Sequence, residues 1–141
     1  SNAVGVEYHN RKRELPLNHM HCTAAGKCIL SGLPDEQVKT ILEEQGMPQN
    51  TKNTITDTEA LLDELAEVRE RGYAFANEEQ IEGIRAVGAP IFGPDETIEG
   101  AIAVSGPASR FQGNRFREEL PGKVTRAANI CEVNLRTPDV D

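Results

Sequence analysis

The stretch from Glu67 to Phe92 carries a strand of small residues, Ala86-Val87-Gly88-Ala89-Pro90-Ile91-Phe92, and no other part of the chain constrains the fold as much. Side chains this small let another element approach the strand's face closely. That element is either a packed helix or a ligand, and the residues alone favour close helix–sheet packing. A charged helix leads up to the strand and ends at Gly72. Tyr73-Ala74-Phe75 follows, then polar Asn77-Glu78-Glu79, and Gly83-Ile84-Arg85 enters the strand.

The flanking pattern supplies helices on one side and a hairpin on the other. Val4 to Tyr8 alternates weakly and reads as an edge strand, and the NRKRE run from Asn10 to Glu14 reads as a solvated turn. Cys22 to Ser31 reads as a short helix with Thr23 as N-cap. Leu33-Pro34-Asp35 starts a second helix with Val38, Ile41 and Leu42 on its apolar face, closed by Gly46. Met47 to Asn53 is a loop. Thr56 and Glu59 have capping-box spacing ahead of Leu61, Leu62, Leu65 and Val68, which predicts a third helix stopping at Gly72. Two strands, about Ile84 to Phe92 and Thr97 to Ser105, flank the Gly93-Pro94-Asp95-Glu96 turn and predict an antiparallel hairpin. Phe116, Leu120, Val124, Ala127, Ala128, Cys131 and Leu135 form one stripe of a last helix, which Pro121 kinks or splits near Leu120. The sum is an α+β domain with helices on a mixed antiparallel sheet.

The chain has 141 residues, enough for one domain with a core and too few for two. Ser1-Asn2-Ala3 reads as an expression-tag scar (residues 1–3). Lys and Arg total 15 against 23 Asp and Glu, a net charge of −8, which repels phosphate backbones and argues against nucleic-acid binding by this chain itself. The acid excess also suits a protein kept soluble in a salty cytosol. Three cysteines at irregular spacing give no disulfide framework and point to a reducing cytoplasm. The absence of Trp argues against a base-stacking platform. No apolar run is long enough to span a bilayer, and no cofactor is expected.

Gly72, Ala76, Glu79, Ala86, Val87, Gly88, Ile91, Phe92 and Gly93 stand at the spacing of a known signature, with only Ala76 departing from it, where Asp or Ser is usual. With His21-Cys22-Thr23-Ala24-Ala25-Gly26-Lys27, Thr54-Ile55-Thr56-Asp57 and Ala103-Val104-Ser105-Gly106-Pro107-Ala108-Ser109-Arg110, the chain resembles the effector-binding domain of IclR-type transcriptional regulators from about His21 to about Leu135. The resemblance implies a GAF-like sensor fold with one curved sheet, spanning residues 21–141. It is poorest over residues 4–20. Family domains carry a helix and strands there, so part of the domain is expected to be cut away or absent. The resemblance further implies a small-molecule effector, self-association as dimer or tetramer, and DNA contact only through a winged helix-turn-helix that this chain lacks.

Four constellations could carry chemistry. Small residues at the Cys22–Lys27 helix start leave backbone N–H groups open at the positive end of a helix dipole, where an anion could dock near Ala24 and Ala25; the plain alternative is a tightly packed helix start. The resemblance favours the ligand and implies that Ala76, Ala86, Ala103 and Ser105 line its pocket, with Asn77 supplying an amide beside Ala76. Three of those positions are alanine, so the effector is expected to have a larger apolar or aromatic body and one anionic end. His19, His21 and Cys22 could hold a transition metal, although alternate residues of an extended segment point apart. Cys22 near a helix N-terminus is expected to have a lowered thiol pKa and could serve a small Cys/His enzyme. A dimerisation module without ligand is the third reading. Cys28 and Cys131 fall on apolar faces. Glu78, Glu79, Arg85 and Arg110 are expected to fix the loop around the sheet through ion pairs, with Ser109-Arg110 stabilising the turn after the second strand.

Overall fold

The computed structural model describes residues 5–10 and 19–136. Arg11 to Glu14 of the basic–acidic run and the tag scar lie outside the described residues. The element order is β1 (Gly5–Asn10), α1 (Ala24–Ser31), α2 (Asp35–Gln45), α3 (Thr58–Arg71), β2 (Ala74–Asn77), β3 (Ile84–Phe92), β4 (Ile98–Pro107), a π-helical turn (Arg115–Glu119) and α4 (Leu120–Arg136). The strands form one antiparallel sheet of order β1-β4-β3-β2, so the expected edge strand and the expected hairpin are both present.

Small residues line up across this sheet. Ala76 pairs with Ala86, Ala86 with Ser105 and Ser105 with Gly5; one pleat on, Ala74 pairs with Gly88 and Gly88 with Ala103. Successive side chains on a strand point to opposite faces, so these two rows share one face. Helix α1 packs directly over it, α3 packs against α1 and α2 against α3, burying Cys28, Ile29, Leu30, Leu61 and Leu65 among others. On the opposite face Val87, Ala89 and Ile91 meet Phe111, Phe116, Leu120, Val124 and Ala128 from the π-turn and α4. The sheet is therefore covered on both sides.

Each helix boundary has a local cause. Pro34 stands as the N-cap of α2 rather than inside its first turn, with φ −60° and ψ 148°. The cap of α3 is Asp57, one residue later than the capping-box spacing of Thr56 predicts: Asp57 Oδ2 accepts from Ala60 N at 2.9 Å. Both residue types can cap, and here Asp57 takes the position from which its carboxylate reaches the N3 amide. Gly72 closes α3 in the left-handed region at φ 90°. The last helix splits near Leu120, as Pro121 predicts, with the π-turn on its N-terminal side. Of its expected stripe Leu120, Val124 and Ala128 are buried, Ala127 and Cys131 are half-buried, and Leu135 is exposed. Pro90 lies past Ala74↔Gly88, the last β2–β3 pair, where β3 has lost one neighbour.

Candidate functional site

Helix α1 begins against the small-residue rows. Thr23 is extended (φ −114°, ψ 150°) and caps as expected: its Oγ1 accepts from Gly26 N at 3.1 Å and donates to His19 O at 3.1 Å. The first intrahelical bond runs from Lys27 N to Thr23 O at 3.0 Å. Ala24 and Ala25 occupy the first two helical positions, where an N–H has no acceptor within its own helix. The helix can sit this low because Gly88 has no side chain. A Cβ there would stand 3.3 Å from Ala24 Cβ and from Ala103 Cβ.

Beside this contact the face opens into a cleft of about 160 Å³. The helix start contributes Cys22, Thr23, Ala24 and Ala25; the strands contribute Ala76, Ile84, Ala86, Ala103 and Ser105; the β2–β3 loop contributes Glu79, Gln80 and Ile81. Six of the seven residues expected at the site thus come together on one cleft. Asn77 does not line it. Ala76 faces the cleft, so its neighbour on the strand faces away, and Asn77 Oδ1 instead accepts from Arg85 Nε at 2.9 Å. Gln80, Ile81 and Ile84 are not among the site residues expected from the sequence, and Glu79 is expected there only as a loop anchor. The alternation of Ile84 with Ala86 was a usable signal for Ile84, whereas nothing local marks Gln80 or Ile81.

The loop is fixed from below by a buried cation. Lys27 is fully buried; its Nζ donates to Glu64 Oε2 at 2.7 Å and to Phe75 O at 2.9 Å. Glu79 Oε1 lies 2.6 Å from the same Nζ, an ion pair without hydrogen-bond alignment, while Oε2 accepts from Asn77 N at 3.0 Å. Thr51 Oγ1 donates to Glu78 O and Thr54 Oγ1 to Glu79 O, each at 2.6 Å. Glu78 pairs with Arg85 at 4.0 Å, and Arg85 Nη1 donates to Phe111 O at 2.7 Å. Glu78, Glu79 and Arg85 therefore fix the loop as expected, and Glu79 also forms part of the cleft wall. The turn after β4 is closed by Arg110 N to Pro107 O at 2.9 Å and by Gln112 Nε2 to Ser109 O at 2.8 Å.

The His19, His21 and Cys22 side chains are neighbours but are not arranged as one set of metal ligands. His21 Nε2 meets Pro48 O at 2.9 Å, and His19 Nδ1 meets Asn50 Nδ2 at 3.3 Å. Both rings border a second hollow beside Glu44 and Gly46, whereas Cys22 lines the α1 cleft. Among the described residues no group of three or more His, Cys, Asp or Glu side chains is placed to hold a metal ion. Cys22 also departs from the lowered pKa expected of it. Burial pushes the thiol up; the contact from Asn50 Nδ2, 3.4 Å from Sγ, opposes it in part, and the smaller effects of Glu79 and Lys27 act upward and downward respectively. Burial likewise raises Cys28 to about 12. A raised thiol pKa leaves little thiolate at neutral pH. Iodoacetamide at pH 8 is therefore expected to alkylate Cys22 at least tenfold more slowly than in the urea-unfolded chain, as followed by peptide mass spectrometry. Equal rates would contradict the buried placement.

Among the described residues no helix is long and apolar enough to cross a membrane. The family model for the bacterial transcriptional regulator IclR C-terminal domain matches residues 13–132. A probable HTH-type transcriptional regulator ArcR of Halobacterium salinarum is 44% identical over 135 residues, covering 96% of this chain and 51% of that protein. The crystal structure of the C-terminal domain of the Escherichia coli transcriptional regulator KdgR superposes with a TM-score of 0.81 at 28% identity, covering 97% of this chain and 90% of that one. The inducer-binding domain of the PobR transcription factor from Acinetobacter, a double mutant solved with 3-hydroxybenzoic acid, gives a TM-score of 0.75 at 26% identity over 80% of this chain and 65% of that one. The chain spans about half the length of the curated relatives it matches.

Proposed function

The chain belongs to the IclR C-terminal family of bacterial transcriptional regulators, and from that premise we propose that it is the effector-sensing and self-associating part of a cytoplasmic regulator that reaches DNA through another domain. The domain is regulatory, not catalytic: the relatives it matches are transcriptional regulators. The observation that carries the reading is the cleft itself. Ala24 and Ala25, whose amides have no acceptor within their own helix, line it together with Ala76, Ala86, Ala103 and Ser105.

A carboxylate docked on those amides would meet two N–H donors and the positive end of α1. Lys27 beneath Glu79 offsets part of its charge while also pairing with Glu64, so an anion here is held by the helix-start amides rather than by a positive side chain. Beyond the amides the strand wall offers one polar group, the Ser105 hydroxyl, and is otherwise apolar: the methyl groups of Ala76, Ala86 and Ala103 and the side chain of Ile84. That suits an acid with an apolar or aromatic body on the order of ten heavy atoms, given about 160 Å³ of space. The 3-hydroxybenzoic acid held by the PobR inducer-binding domain is an acid of this kind. Binding that favours one arrangement of associated domains would shift its population and, by linkage, operator affinity.

A thermal-shift screen against carboxylic acids, at low and high salt, tests this. A true ligand at a hundredfold excess over Kd stabilises the fold by about 2.7 kcal/mol, several degrees in Tm for a domain of this size. Ala24→Pro is the matched variant. Proline is favoured at the first helical position, and Thr23 already has the extended backbone that a residue before proline requires. The variant deletes one charge-assisted N–H donor and is expected to weaken acid binding at least tenfold with little loss of stability. A folded sample that shifts with no acid, or an Ala24→Pro domain that binds as the wild type does, would overturn the assignment.

A further inference from the structure

Four large apolar side chains are exposed among the described residues; Ile130, Val133 and Leu135 lie at the outer end of α4, and only Ile81 stands on the cleft. Ile81 is 56% exposed although it lines the cavity, so its apolar surface has no protein partner there. It is also held in place. The loop that carries it is bracketed by two residues of positive φ, Glu78 at 54° and Gly83 at 83°. A non-glycine residue keeps such a backbone only where its surroundings enforce it. Here Gly83 N donates to Glu78 Oε1 at 2.8 Å, Ile84 N to Ile81 O at 3.2 Å and Ala108 N to Gly83 O at 2.7 Å. An apolar residue on a fixed rim can cover a ligand without an ordering cost at binding.

We infer that Ile81 is the specificity-determining residue of this cleft: it covers the apolar body of an acid seated on the Ala24 and Ala25 amides, and so selects aromatic over short acids. This rests on the carboxylate reading above. Ala76, Ala86 and Ala103 offer only single methyl groups, and Ile84, the one large apolar side chain on the strand wall, is half-buried in it, whereas Ile81 stands free on the rim. Ile81 brings the sec-butyl surface that an aromatic ring would bury and a two- or three-carbon acid would not reach.

Calorimetric titration of the wild type, Ile81→Ser and Ile81→Trp with benzoate, 3-hydroxybenzoate and phenylacetate, and with acetate, glyoxylate and pyruvate, tests it. The wild type is expected to bind at least one aromatic acid tenfold or more tighter than any short one. Ile81→Ser should weaken that aromatic acid about tenfold and change no short acid more than twofold. The chain has no tryptophan, so Ile81→Trp is a single reporter whose emission should move to the blue as the aromatic acid saturates. An exposed loop residue leaves the fold intact on substitution, which an unchanged Tm verifies. Aromatic binding that Ile81→Ser leaves unaltered, an unmoved tryptophan emission from Ile81→Trp at saturation, or binding of short acids alone overturns the inference while the carboxylate site stands. Binding of none of the six acids overturns the site and the inference together.

Discussion

Replacing Lys27 with methionine is expected to destabilise the domain by about 3–5 kcal/mol, the range seen when one partner of a buried ion pair is removed. The substitution fills the same volume and keeps the apolar stem, so little packing is lost. What is lost is the single positive charge that two carboxylates share. Glu64, with its side chain 25% exposed, can swing toward water. Glu79 cannot: its side chain is 10% exposed, its Oε2 holds the Asn77 amide, and its carbonyl is held by Thr54. An uncompensated charge would remain inside. The consequence reaches the cleft, because Glu79 begins the run of loop residues that ends at Ile81. Urea denaturation of Lys27→Met, Glu79→Gln and the double variant separates the contributions. Glu79→Gln in the Lys27→Met background should recover at least 2 kcal/mol, since glutamine keeps the Asn77 bond and removes the stranded charge. A Lys27→Met domain within 1 kcal/mol of wild type would mean that Glu79 reaches solvent and the loop is not anchored from below.

The readability of each part of this protein follows from how local its causes are. Strand β3 was legible to the residue because its boundaries are local: Gly83 turns the chain in and Gly93 turns it out. The Thr23 cap and the Gly72 stop were legible for the same reason. Of the two readings of the small-residue strand, close helix–sheet packing is present, and one pleat away the same strand borders the cleft. At Gly88 and Ala103 the helix comes down onto the sheet, and at Ala76, Ala86 and Ser105 it leaves a cleft. Lys27 was visible in the helix-start motif but not its burial, because its partners Glu64 and Phe75 lie 37 and 48 residues away. The direction of the Cys22 shift failed on the same ground. A helix dipole is readable from the sequence, whereas burial of the thiol depends on the tertiary packing around it. Asn77 is a different kind of miss. Strand alternation alone sets it opposite Ala76, and a local rule sufficed to exclude it.

Gly26→Ala is expected to cost about 3 kcal/mol, against the usual gain of roughly 1 kcal/mol when glycine becomes alanine inside a helix. A Cβ at position 26 would stand 2.4 Å from Met20 Cα, 2.6 Å from Met20 O and 2.6 Å from Thr23 Oγ1. Two of those atoms are backbone, and the segment they belong to has little room to retreat. Met20 is fully buried, and His19 before it sits at φ 58° with its carbonyl accepting from Cys22 N and Thr23 Oγ1. The third atom is the capping oxygen itself, so relief on that side breaks the bond from Gly26 N. Either movement displaces the start of α1, which carries the Ala24 and Ala25 amides into the cleft. The variant should therefore lose acid affinity at least tenfold at temperatures where it is still folded, beyond its fall of roughly 10 °C in Tm. Gly122→Ala is the control, because a Cβ there meets nothing within 4 Å and α4 should gain up to about 1 kcal/mol. Should Gly26→Ala instead match Gly122→Ala in thermal unfolding, the His19–Met20 turn is free to yield and α1 does not owe its position to the missing side chain.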